Sequence, residues 1–194
     1  MRRIKDFIAT CAFVVFGTLL YAGKDGLQPG DMAPDFTARD QHGKDWRLQD
    51  HLGKKSLVIY FYPAAMTPGC TKQACAYRDY AVLLAQANTE VVAISGDTSE
   101  SLDMFASAQK LNFTLLSDAD GSIADKFGVP NKKGTQQIVA AINGVEKTLI
   151  RHATMLRWSF LLDKTGKILY TNHKVHAAQD SRDMLEHLLG KKQD

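Results

Sequence analysis

Apolar residues cluster along this chain in two distinct rhythms, one early and one late. Ser56-Leu57-Val58-Ile59-Tyr60-Phe61-Tyr62 is an almost unbroken β-branched and aromatic run. Such a run suits a strand buried on both faces, the mark of a central parallel strand. Val91-Val92-Ala93-Ile94-Ser95 predicts a second. Between them Thr67–Ala87 predicts a helix, with Thr67 as N-cap and Pro68 at the first helical position. Ser99–Lys110 places Leu102, Phe105 and Ala106 on one helical face. Phe113–Leu116 predicts a short strand, and Gly121–Phe127 a short helix stopped by Gly128-Val129-Pro130. The rhythm then changes. Ile138–Ile142 and Glu146–Ile150 flank Asn143-Gly144, a hairpin signal. Trp158–Leu162 and Lys167–Thr171 flank Asp163-Lys164-Thr165-Gly166, a second hairpin, and Ser181–Leu189 predicts a closing amphipathic helix. Residues 23–44, rich in Gly, Asp and Pro, read as an irregular lead-in, and Trp46–Leu52 as a short strand or turn. Strand–helix alternation followed by hairpins predicts an α/β fold, a central mixed β-sheet flanked by helices.

The N-terminus follows a different pattern. Arg2, Arg3 and Lys5 precede an uncharged stretch from Phe7 to Ala22. Its length fits a signal-peptide core and is short for a spanning helix, which needs about 20 apolar residues. Cleavage after Ala22, retention as a membrane anchor, and a buried N-terminal helix are the alternatives. Whichever holds, export is predicted, with periplasmic localisation and possible membrane association. Residues 1–22 are thus read as signal peptide or anchor, and 23–194 as one domain, a size that suits a single core.

Composition narrows the function. Of 194 residues, 45% are hydrophobic and 23% charged, which is globular rather than disordered. Lys+Arg 24 against Asp+Glu 21 gives +3, and no basic patch interleaves with aromatics, so nucleic-acid binding is not expected. The six histidines form no zinc signature with the cysteines, and no phosphate-cradling glycine motif occurs; no metal or cofactor is expected.

The chemistry lies in Pro63-Ala64-Ala65-Met66-Thr67-Pro68-Gly69-Cys70 and in Cys75 five positions later. Cysteine reacts as its thiolate, and helix N-termini and nearby cations favour that form over the free thiol. The predicted helix start therefore carries a potentially activated sulfur close to a second one.

These residues resemble a known family. Tyr60-Phe61-Tyr62-Pro63, Thr67-Pro68-Gly69-Cys70-Thr71 and Ala74-Cys75 with Arg78-Asp79 are similar to the active-site segment of peroxiredoxins, most of all the bacterioferritin comigratory protein or PrxQ group. Ala33-Pro34-Asp35-Phe36, Leu115-Leu116-Ser117-Asp118 and Arg157–Asp163 with Gly166-Lys167-Ile168 extend the likeness over roughly residues 30–190. The chain departs from the pattern at Ala64-Ala65-Met66, at Gln73 where the family usually has Glu, and over 131–156, which is longer than expected.

The resemblance implies a thioredoxin-like fold and thiol-dependent reduction of hydrogen peroxide and organic hydroperoxides. It implies Cys70 as the attacking thiolate, with Arg157 beside it favouring the anion and donating to the peroxide. Thr67 would bridge thiolate and substrate, and Pro63 would fix the turn and shield the site. Cys75 would resolve the oxidised sulfur as a disulfide, recycled by a thioredoxin-like reductant, in a protein expected to be monomeric. Two other functions remain open: a disulfide-exchange protein, whose usual pair of cysteines two residues apart is missing, and a redox sensor.

Overall fold

The computed structural model describes residues 26–142 and 144–190. The N-terminal segment 1–22, with Cys11, lies outside them, as does Asn143 of the predicted turn.

A seven-stranded sheet forms the centre, in the order β2-β1-β5-β4-β3-β8-β9. The strands are β1 (Thr37–Asp40), β2 (Asp45–Arg47), β3 (Ser56–Phe61), β4 (Thr89–Ser95), β5 (Thr114–Ser117), β8 (Trp158–Leu162) and β9 (Ile168–Asn172). Strands β3, β4 and β5 are mutually parallel, and the flanking pairs are antiparallel. The helices are α1 (Pro68–Gln86), α2 (Ser99–Gln109), α3 (Ser122–Phe127) and α4 (Asp180–Leu188). This is the expected mixed α/β arrangement, a thioredoxin-like fold.

Strand β3 shows why its sequence has no polar alternation. Leu57, Ile59 and Phe61 enter one core with Phe36, Trp46, Phe127 and Phe160. Val58 and Tyr60, with Tyr62 beyond the strand, enter the other with Cys70, Ala74 and Tyr77 of α1, Phe105 of α2 and Met184 of α4. A strand covered on both faces needs apolar side chains at every position. The parallel strands end on the side where α1 begins, the usual place for a site in such sheets.

Two regions differ from expectation. The lead-in contains the edge hairpin β1–β2, whose strands of 4 and 3 residues are too short to reveal a period of two. Trp46 lies on β2, and the chain then makes a single tight helical turn over Leu48–Asp50. The later hairpin is far longer than its apolar signal: β6 (Asn131–Ile142) and β7 (Val145–Met155) form a separate two-stranded sheet. Most of β6 is exposed, so no buried face imposes alternation on Lys132, Lys133, Gln136 and Gln137.

Strand β7 is tied to the loop after β4. The His152 N–H donates to the Gly96 carbonyl at 2.8 Å, and the Thr98 N–H to that of Ile150 at 2.9 Å. A Cβ on Gly96 would lie 2.1 Å from the Ala153 carbonyl oxygen, so only glycine permits this approach. The hairpin thereby carries the chain to Leu156 and Arg157, directly before β8.

Candidate active site

The chain leaves β3 with the Tyr62 N–H still bonded to the Ile94 carbonyl, at 3.0 Å. Pro63 then turns it. Met66 adopts a left-handed backbone, φ 60°, a costly conformation for a non-glycine residue. That reversal allows Thr67 to be extended and Pro68 to open α1.

The first helical bond runs from the Thr71 N–H to the Thr67 carbonyl, at 2.8 Å. The N–H groups of Gly69 and Cys70 therefore precede the helical ladder, where anions are favoured. Thr67 holds the N-cap position as expected, but its hydroxyl does not cap. It donates instead to the Ala64 carbonyl at 2.9 Å, so it braces the loop and keeps acceptor capacity on its oxygen.

Asp97 holds the loop from behind. Its buried Oδ2 accepts from the Ala65 N–H at 2.9 Å and from the Ser95 hydroxyl at 2.7 Å. Burial pushes its carboxyl up, and these two donors partly oppose that. Sequence reasoning missed Asp97. Its position just past the end of a parallel strand was the available signal.

Cys70 is 2% exposed and Arg157 is partly buried above it. The Arg157 Nη2 donates to Cys70 Sγ at 3.2 Å, and Nη1 donates to Gln73 Oε1. Arg157 and Cys70 are 87 positions apart, and the long hairpin brings them together. A Cβ on Gly69 would come within 3.3 Å of Arg157 Nη2, so the absence of a side chain there leaves room for the guanidinium. Gln73 in turn donates from Nε2 to Asp180 Oδ2, at 2.8 Å. Tyr60 packs face to face with Tyr77, ring centroids 4.7 Å apart, and burial, then Asp180 and Cys70, push the Tyr60 phenol well above its ordinary value.

Cys75 lies further along α1, partly buried, and both cysteines are free thiols, the reduced form. Its Sγ donates weakly to Gln109 Oε1 at 3.7 Å. Gln109 also receives Arg78 Nη1 on its carbonyl at 2.7 Å and reaches Met66 Sδ with Nε2 at 3.9 Å. The end of α2 thus bridges the loop before Cys70 and the turn that carries Cys75.

The structure brings Thr67, Cys70 and Arg157 to one place, with Pro63 at the turn and Cys75 on the same helix. Gln73, Asp180, Gln109 and Asp97 also build the surroundings. Among the described residues no group of three or more His, Cys, Asp or Glu side chains is placed to hold a metal. His173 stacks on Trp158, with ring centroids 3.6 Å apart.

A sulfur seated under a guanidinium, at the start of a helix fed by a parallel strand, is equipped for thiol redox chemistry. The scaffold is that of thioredoxin-fold enzymes. The chain belongs to the AhpC/TSA family, whose model matches residues 29–171. Peroxiredoxin Bcp of Escherichia coli is 44% identical over 142 residues, 73% of this chain and 83% of that protein. The crystal structure of peroxidoxin BcpB from Mycobacterium tuberculosis has 32% identity and a TM-score of 0.70, covering 86% of this chain and 99% of the other. Peroxiredoxin Q of Xanthomonas campestris has 26% identity and a TM-score of 0.65, covering 80% and 90%. These relatives make the chain a peroxiredoxin of the Bcp/PrxQ kind, and its activity thiol-dependent peroxide reduction.

Proposed function

We propose that Cys70 is the thiolate that attacks the peroxide and that Cys75 resolves it within the same chain. The contact of Arg157 Nη2 with Cys70 Sγ at 3.2 Å carries this reading. The thiolate of Cys70 displaces one peroxide oxygen, which takes a proton and leaves as water or alcohol; Cys70 becomes a sulfenic acid. Negative charge grows on the leaving oxygen. Arg157 and the N–H groups of Gly69 and Cys70 are the donors available to it. Cys75 sulfur then attacks the Cys70 sulfur, a disulfide forms, and hydroxide leaves as water after protonation. A thioredoxin-like dithiol takes up the disulfide and returns both thiols. Hydrogen peroxide and organic hydroperoxides are the substrates, and the working unit is a monomer.

Geometry adds a conformational step. Cα atoms five residues apart in an α-helix are about 8–9 Å from each other, given the rise and radius of the helix. A disulfide spans roughly 4.4–6.8 Å between Cα atoms. The first turns of α1 must therefore unwind on oxidation, releasing Cys75 and Met66 from Gln109. Amide hydrogen exchange over 71–76 tests this: protection is expected in the reduced protein and is lost, by about tenfold or more in exchange rate, after oxidation. Equal protection in both states would refute the step.

We further propose that the protein works outside the cytosol, by virtue of the basic start and uncharged stretch of residues 1–22. N-terminal sequencing of the protein from membrane and soluble fractions should find it exported; a cytosolic form beginning at Met1 would contradict this.

A further inference from the structure

Behind the arginine lies a carboxylate that the reaction does not touch. Asp180 is the first residue of α4, 107 positions from Gln73, and fully buried. Its Oδ2 accepts three hydrogen bonds: from Gln73 Nε2 at 2.8 Å, from the Tyr77 hydroxyl at 2.7 Å and from the Ser159 hydroxyl at 2.7 Å. Gln73 is itself fully buried, three residues after Cys70 on the same face of α1. A continuous line of hydrogen bonds runs from Asp180 through Gln73 to Arg157 and ends on the Cys70 sulfur.

The chemistry of each group fixes the direction of this line. An ionised carboxylate only accepts, whereas an amide has one donating and one accepting end. Asp180 therefore holds the Gln73 NH2 group, and the amide oxygen is left facing Arg157, which only donates. Without Asp180 the amide could turn over and present two N–H donors to a guanidinium. We propose that Asp180 is a positioning residue for Arg157: it orients the Gln73 amide and through it holds the guanidinium over Cys70. A glutamate at position 73 would meet the arginine with a charge of its own. In this chain the neutral Gln73 meets it, and the carboxyl group stands one residue further back, on another helix, where burial pushes its pKa up and its three donors oppose that. Glu at 73 and Asp at 180 together would place two carboxylates in one buried contact, so the two positions constrain each other.

The inference rests on the reading that Cys70 is the reactive sulfur. Its test does not use peroxide, so the two can fail separately. The rate of Cys70 alkylation by iodoacetamide is followed against pH, with the labelled peptide identified by mass, in wild type, Asp180→Asn, Gln73→Glu and the Gln73→Glu/Asp180→Asn double variant. Circular dichroism reports folding. Asp180→Asn should slow alkylation at pH 7 about tenfold and move the profile to higher pH. Gln73→Glu alone should destabilise the fold. The double variant restores one carboxylate and one amide in exchanged places, and should return alkylation to within about threefold of wild type. A folded Asp180→Asn protein with the wild-type profile would overturn the proposal. So would a folded double variant as slow as Asp180→Asn. Should neither fold, Gln73→Met breaks the line while leaving Asp180 its two hydroxyl donors. It should show the same slowing, and a wild-type profile would overturn the proposal.

Discussion

Cys70→Ser is expected to abolish peroxide consumption, with a loss of at least about 10⁴-fold, the scale seen when the nucleophile of a cooperating group of residues is removed. The serine oxygen fits the space and can still accept from Arg157, so the fold survives. What disappears is the chemistry: a hydroxyl is almost wholly protonated near neutral pH, and oxygen has no counterpart of the sulfenic acid stage. Peroxide consumption with excess dithiol, alongside circular dichroism, separates the two effects. A folded Cys70→Ser protein retaining more than about 1% of the activity would mean that another group does the work.

Arg157→Met is expected to lower the rate constant for reaction with hydroperoxide by about 10²–10³-fold, the usual loss for a donor aimed at developing charge. Methionine keeps much of the side-chain length and packing. It removes the donor at 3.2 Å from Cys70 Sγ and the one that satisfies Gln73 Oε1. The orphaned amide oxygen adds a stability loss of about 1–3 kcal/mol. Arg157→Lys restores charge without the planar fork, and cannot hold the sulfur and Gln73 in the same geometry, so it should recover only part of the rate. Stopped-flow measurement of stoichiometric oxidation gives these constants directly. An Arg157→Met rate within about threefold of wild type would remove the arginine from the account.

Local features of this protein are readable from its sequence, and distant ones are not. The run from Ser56 through Cys70 into the helix is self-announcing: the apolar strand, the proline turn and the Thr67-Pro68 start specify β3 and α1 to within a residue. Arg157 could be assigned only through family likeness, since nothing near it in the chain points to Cys70. The structure supplies the reason for its position, namely the anchoring of β7 against Gly96. Asp180 carries no signal at all. A polar residue at the start of an amphipathic helix reads as solvated, and its burial follows only from α4 packing against α1, with the Tyr77 and Ser159 hydroxyls and the Gln73 amide closing round it. The Thr67 hydroxyl illustrates a subtler limit. Its position as N-cap is local information, but its choice of the Ala64 carbonyl depends on the left-handed turn at Met66. The β6–β7 hairpin was visible only at its tip, because exposed strands carry no pattern from burial.

The decisive measurement is the intact mass of the reduced protein after one equivalent of hydroperoxide, with peptide mapping. If an anionic sulfur opens the oxygen–oxygen bond and its helical neighbour completes the cycle, the protein loses the mass of two hydrogens and yields a linked Cys70–Cys75 peptide. A stable gain of one oxygen on Cys70, or an unchanged mass while peroxide persists, would contradict it.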